Sequence, residues 1–260
     1  MKEKNIVTTM ENKVCIIKLN RPEIRNPLTE VAWELLDTLR EIQYDDQVKA
    51  VIITGTERAF SAGGNLNNVQ GDTSNAFSTR KRMKQYYELL HMMRKVEKPM
   101  IAAVNGAAAG AGVSLALACD LVIAARSAFF IQSFVKVGAL PDFGGIHFLT
   151  QSLGPHRAKE LMMLGESISA EQAYQLGLVN EVVDDDILLE RACSIAQKIA
   201  EGPSLSIGLI KQLVHYSANV SLEEFLELEA FGQGVCFQTE DLKEGVTAFF
   251  EKRAPQFKGK

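Results

Sequence analysis

The sequence predicts an α/β fold followed by a helical carboxy-terminal region, and two patterns carry the prediction. Short apolar runs of strand character recur at residues 14–19, 50–54, 100–104 and 121–124, separated by turn residues or by stretches with helical spacing. Beyond Gly154 the helical pattern is almost continuous, with breaks near Gly165, Gly177, residues 184–186, Gly202-Pro203 and Asn219.

Taken in order, the run at 14–19 leads to a helix expected over 29–44. There Val31, Leu35, Leu36, Leu39 and Ile42 share one face, and Thr29 is a candidate cap. After the run at 50–54, residues 65–79 are rich in Asn, Gly, Ser, Asp and Gln and read as a mobile loop, either a surface connector or a lid over a site. A second helix is expected over 81–96, and residues 221–257 form a helical appendage. No internal repeat or low-complexity tract interrupts this order.

The 260 residues are 47% hydrophobic and 23% charged, enough apolar material for a full core. A net charge of -4 gives no electrostatic case for nucleic acid or an anionic membrane. The amino terminus lacks the apolar core and cleavage site of a secretory signal, and no apolar run is long enough to span a bilayer, so a cytoplasmic location is expected. Cys15, Cys119, Cys193 and Cys236 are scattered without a CxxC pair, which predicts reduced thiols. His91, His147, His156 and His215 stand apart from one another, and no metal site is expected.

Three segments could carry chemistry. Phe60-Ser61-Ala62-Gly63-Gly64-Asn65 is a small-residue turn after a buried strand, either a plain tight turn or a place where amide hydrogens face a ligand. Asn105-Gly106-Ala107-Ala108-Ala109-Gly110-Ala111-Gly112-Val113-Ser114 runs from a strand into small residues and a helix, and so offers unpaired amides to an oxyanion or simply packs a helix closely on a strand. Ser114 superficially sits in a nucleophile elbow, but no histidine can be tied to it, and a packed helical serine is expected. In Gly138-Ala139-Leu140-Pro141-Asp142-Phe143-Gly144-Gly145, Asp142 stands just before a helical stretch and reads first as a helix cap. Its apolar neighbours Phe130, Phe134, Leu140 and Phe143 equally suit a general base of raised pKa.

Together with Leu19-Asn20-Arg21-Pro22, Ala118-Cys119-Asp120 and Gly177-Leu178-Val179-Asn180, these segments make the chain resemble the crotonase (enoyl-CoA hydratase/isomerase) superfamily along essentially its whole length. The resemblance implies a core of repeated ββα units over residues 1–200, a helical trimerisation region over 201–260, and homotrimers that often pair as hexamers. It implies a coenzyme A thioester as substrate, with no cofactor, no nucleic acid and no membrane partner. By motif position the amides of Gly64 and Ala111 would hold the thioester oxygen, and Ala62 and Phe134 would line the acyl site.

Hydratases of this family carry glutamates at the positions of Ser114 and Phe134, so ordinary hydration is not expected here. Asp142 occupies the place where several family isomerases, and an aromatic-CoA dehalogenase, carry an aspartate, and the resemblance turns the balance from cap to proton shuttle. Arg25 and Lys252 are candidates to hold the coenzyme A phosphates. The alternatives are a hydratase-like enzyme, nucleophilic attack by Asp142 on an aromatic ring, and a catalytically silent acyl-CoA-binding subunit.

Overall fold

The computed structural model describes residues 4–68 and 75–260. Two sheets organise the described residues. The larger has β1 (Ile6–Glu11), β2 (Val14–Leu19), β3 (Ala50–Gly55), β5 (Met100–Val104), β7 (Leu121–Ala125) and β10 (Glu181–Val183) side by side in that order. Only the β1 and β2 pair is antiparallel. The smaller has β4 (Ala59–Ser61), β6 (Ala107–Ala109), β8 (Phe129–Ile131) and β9 (Ser167–Ser169).

The unit that repeats is a long strand in the large sheet, a three-residue strand in the small sheet, and a helix. It occurs as β3, β4 and α2 (Ala76–Lys95), as β5, β6 and α3 (Ala111–Leu117), and as β7, β8 and α4 (Gly145–Leu164). This is the ββα core expected from the resemblance. Every residue of β3 and β5 is buried, as parallel strands covered on both faces must be, which is why they read as continuous apolar runs. In β1, by contrast, only Ile6 is buried. As a polar edge strand it leaves no apolar signal, and it was not among the expected strands.

Helix α1 (Leu28–Tyr44) buries the predicted face but begins after Pro27, so Thr29 lies within the helix. Its hydroxyl instead accepts a hydrogen bond from the Asn65 amide at 3.3 Å. Helix α2 starts before the expected residue 81 because the Asn75 carboxamide accepts from the Phe77 and Ser78 amides. Of the expected loop at 65–79, residues 76–79 are therefore helical, and 69–74 lie outside the described residues. Helix α4 is kinked at Gly154-Pro155.

Helices α5 (Ala170–Gln175), α6 (Leu188–Ala200), α7 (Ser204–Ser217), α8 (Leu222–Cys236) and α9 (Glu240–Glu251) complete the chain. The breaks up to Asn219 fall where turn residues placed them, whereas the break between α8 and α9, made by the Thr239 cap, was not foreseen. The short strands β9 and β10, hidden among helical patterns, were not foreseen. In α6 a small-residue stripe of Ala192, Ala196 and Ala200 is buried, letting the helix lie close on the large sheet. No described helix is long and apolar enough to cross a membrane.

One buried ion pair fastens α7 to the large sheet. The Lys211 ammonium, 4% exposed, lies 2.9 Å from Asp120 Oδ2 and donates to the Lys98 carbonyl at 3.1 Å. Asp120 also accepts the Met100 amide at 2.7 Å. Removing one partner leaves the other charge uncompensated, so Asp120→Ala should lower stability by about 3 to 5 kcal/mol in urea unfolding. A loss below about 1 kcal/mol would show that the pair contributes little to holding α7.

Candidate active site

The site is assembled by backbone contacts between successive repeats. At its edge the turn Arg25-Asn26 takes left-handed φ at both residues, +62° and +53°. Asn26 is fully buried. Its side chain accepts from the Arg21 amide at 2.7 Å and donates to the Ala59 carbonyl at 2.9 Å. The Arg25 carbonyl accepts from the Ala62 amide, and the Gly63 carbonyl from the Leu28 amide, so the entry to α1 is clamped onto the segment after β4.

Glycine is required at the next contact. Gly63 has φ +82°, and a Cβ there would lie 2.5 Å from the Ala109 carbonyl oxygen and 3.0 Å from the Ala111 nitrogen. A Cβ on Gly112 would lie 2.3 Å from the Ser61 carbonyl oxygen. The two small-residue segments therefore touch main chain to main chain. Among the described residues neither the Gly64 nor the Ala111 amide donates a hydrogen bond, and the space beside Gly64 is open. Two unspent donors on abutting segments can receive an oxygen that gains negative charge. Ala111 occupies the first position of α3, so its methyl group does not obstruct the helical backbone.

Asp142 lies in the loop between a short 3-10 turn (Ser133–Val137) and α4. It does not cap that helix: the cap is Gly144, at φ +76°, with no side-chain cap bond. The capping expectation fails because Phe143 (φ +49°) and Gly144 are consecutive left-handed residues that turn the chain after Asp142. Phe143 is 1% exposed and anchors this strained turn in the core. The Asp142 carbonyl accepts from the Gly145 amide at 2.9 Å and from the Ser114 hydroxyl at 3.0 Å. Ser114, fully buried, thus holds the loop and is no nucleophile.

Among the described residues no other residue bonds the Asp142 carboxylate, and its own main-chain amide is the one donor it has. Oδ1 is buried and makes no hydrogen bond, and desolvation pushes the carboxyl up to about 6. Burial, followed by the nearby Asp142 charge, raises the Tyr87 phenol. A cavity of about 480 Å³ opens beside the carboxyl, lined by Tyr87, Pro141, Asp142, His147, Thr150 and Gln151 among others. Phe134 covers the turn before α3, its ring edge about 3.2 Å from where a Cβ on Gly110 would stand.

Gln132, 3% exposed, also lies in this region with neither amide atom partnered, and its Nε2 would be 3.4 Å from a Cβ on Gly145. A lone amide between Phe129-Phe130-Ile131 and Phe134 was a sequence signal that could have marked it. Tyr87, on a polar helix, gave none.

Ala62, Gly64, Ala111, Phe134 and Asp142 are therefore linked through consecutive contacts. Arg25 joins them by its main chain, with its side chain exposed. Lys252 caps the end of α9 at φ +55°, exposed, and no described contact connects it to these groups. No cluster of metal-ligating side chains occurs among the described residues.

A ββα core carrying two unspent amides and a largely desolvated carboxyl matches what the resemblance to the crotonase superfamily implies for an acyl-CoA enzyme. The sequence profile described as enoyl-CoA hydratase/isomerase matches residues 9–260, and the chain belongs to that family. It is 40% identical to the 1,2-epoxyphenylacetyl-CoA isomerase of Escherichia coli K12 over 98% of both chains. It is 36% identical to the crotonyl-CoA hydratase of Syntrophomonas wolfei over 99% of both. The solved enoyl-CoA hydratase of Bacillus anthracis superposes with a TM-score of 0.93 at 35% identity, covering 98% of this chain and 100% of that one.

The raised carboxyl has a consequence for stability. Its folded pKa, about 6, exceeds the ordinary 3.8, so its contribution is fully present below about pH 4 and lost as pH rises through 6. Two units correspond to about 3 kcal/mol. Asp142→Asn should therefore be more stable than the parent by up to about 3 kcal/mol at pH 8, with the difference vanishing near pH 4. A variant that unfolds more easily at both pH values would restore the structural role that the geometry denies.

Proposed function

We propose that this chain isomerises the double bond of an enoyl-CoA thioester, with Asp142 as the single proton shuttle and the amides of Gly64 and Ala111 holding the enolate oxygen. The observation that carries this reading is the largely desolvated Asp142 carboxyl, whose buried Oδ1 is unpartnered, poised near pH 6. The carboxylate takes a proton from one carbon of the acyl group, the thioester oxygen carries the charge between two amides, and the carboxylic acid returns the proton to another carbon. Each such donor is worth about 3 to 4 kcal/mol in enzymes where one has been removed. A base whose pKa lies near neutrality both accepts and returns the proton readily.

The relative named an epoxyphenylacetyl-CoA isomerase supports this assignment, and with it a place in phenylacetate breakdown. The relatives named hydratases favour water addition instead. Hydration needs a second group to hold and deprotonate water. Here the Ser114 hydroxyl is spent on the Asp142 carbonyl, and Phe134 carries no titratable proton, so isomerisation is the better fit.

The substrate in this reading is a coenzyme A thioester, with no separate cofactor. Arg25 holds a phosphate from the same chain. Lys252, which no described contact joins to the site in its own chain, does so from a neighbouring copy in the assembly. The enzyme works in the cytoplasm as a homotrimer or a dimer of trimers, with residues 201–260 forming the trimerisation region. The support is the apolar surface left open there: Leu222, Leu226, Phe231, Phe249 and Phe250 are all exposed, Phe231 to 76% and Phe249 to 78%.

In sedimentation equilibrium the protein should weigh three or six times its 28.6 kDa chain; a monomer at micromolar concentration would refute the assembly. In deuterium oxide, a 3-enoyl-CoA should exchange acyl protons and isomerise, with kcat/KM rising to a plateau above a pH of about 6 because the base must be ionised. Asp142→Asn should fold, bind the ester and lose about 10²-fold or more of both activities. A rate that falls through pH 6, or a variant that retains exchange, would contradict the role given to Asp142.

A further inference from the structure

We propose that the acyl group selected by this site carries a hydrogen-bonding oxygen on its distal part, read by a polar patch of Tyr87, His147, Thr150 and Gln151. The inference rests on the reading of Asp142 as the proton shuttle and adds the class of acyl group on which that shuttle works. All four side chains line the cavity that opens beside Asp142, whose volume of about 480 Å³ is in the range of small-ligand sites. His147, Thr150 and Gln151 fall at i, i+3 and i+4 in the first two turns of α4 and so share one face. Tyr87 completes the patch from α2.

Among the described residues these four side chains make no hydrogen bond or ion pair with the protein. Of the other polar side chains around the site, Asn26 is spent on three partners and Ser114 on the Asp142 carbonyl, while the unpartnered Gln132 amide is enclosed rather than on the cavity lining. The patch is thus a concentration of uncommitted donors and acceptors beside the reacting carboxyl. An alkyl tail entering the cavity displaces water from these groups and returns no hydrogen bond. An acyl group ending in a hydroxyl, carbonyl or ring oxygen replaces that water. Pro141 and Ile146 leave apolar surface for its carbon skeleton. The patch stays open to solvent, so the discrimination amounts to one hydrogen bond, about 3- to 10-fold.

The test compares two esters of equal length on the assembled full-length enzyme: 3-heptenoyl-CoA and 6-hydroxy-3-hexenoyl-CoA, in which a hydroxyl replaces the terminal methyl. The expected result is a kcat/KM about 3- to 10-fold higher for the hydroxy ester. That ratio should fall to one or below in the double variant Thr150→Val with Gln151→Leu. If the double variant does not fold, Tyr87→Phe, which removes a single oxygen, should lower the ratio in the same direction. Equal or better turnover of the alkyl ester by the parent enzyme would overturn the inference while leaving the isomerase reading intact. So would a hydroxy preference that the variants leave unchanged. Turnover of neither ester would sink the isomerase reading, and this inference with it.

Discussion

The desolvation of one carboxyl is the constraint on which the rest of the site depends. A carboxylic acid taken out of water without a neighbouring positive charge resists ionisation, and Asp142 is held in that condition by its surroundings. The Phe143 ring, buried in the core at a left-handed φ, fixes the turn. The Ser114 hydroxyl and the Gly145 amide both bind the Asp142 carbonyl, so the main chain cannot relax toward a geometry in which the carboxylate would cap α4. In the proposed mechanism this local strain and uncompensated acid keep a proton acceptor available near neutrality.

In the proposed mechanism that carboxyl acts together with two unspent amides that the repeats bring into the same structure. Each ββα unit sends its chain from the large sheet through a three-residue strand of the small sheet, and the segments that follow β4 and β6 abut through Gly63 and Ala109 to Ala111. The parallel pairing of β4, β6 and β8 sets this register. Any side chain at Gly63 or Gly112 would force the two segments apart, which gives the small residues of both motifs a steric reason as well as a chemical one.

Much of this was legible in the residues. The buried parallel strands announced themselves as apolar runs, and the inward face of α1 as a helical stripe. The three segments now seen to be connected were the ones singled out for chemistry. Other features depended on contacts the local sequence does not encode. The polar strand β1 is defined by pairing with β2 rather than by an apolar pattern. The start of α2 was set by the Asn75 carboxamide, which a run of Asn, Ser and Asp disguised. Asp142 stands where caps usually stand, and only the left-handed pair after it removes the cap geometry. Tyr87 comes to the site through tertiary packing, and although the apolar neighbours of Gln132 hint at its burial, they do not show that its amide is left unpaired.

The central claim is that Asp142 is a desolvated acid, and its own titration tests that most directly. Infrared difference spectra of the protein carrying ¹³C-carboxyl aspartate, with the Asp142→Asn spectrum subtracted at each pH, isolate the carbonyl stretch of this one group. A protonated carboxyl that ionises with a midpoint near pH 6, in the unliganded protein, is the predicted result. A midpoint near 4, the value of an aspartate in water, would contradict the account.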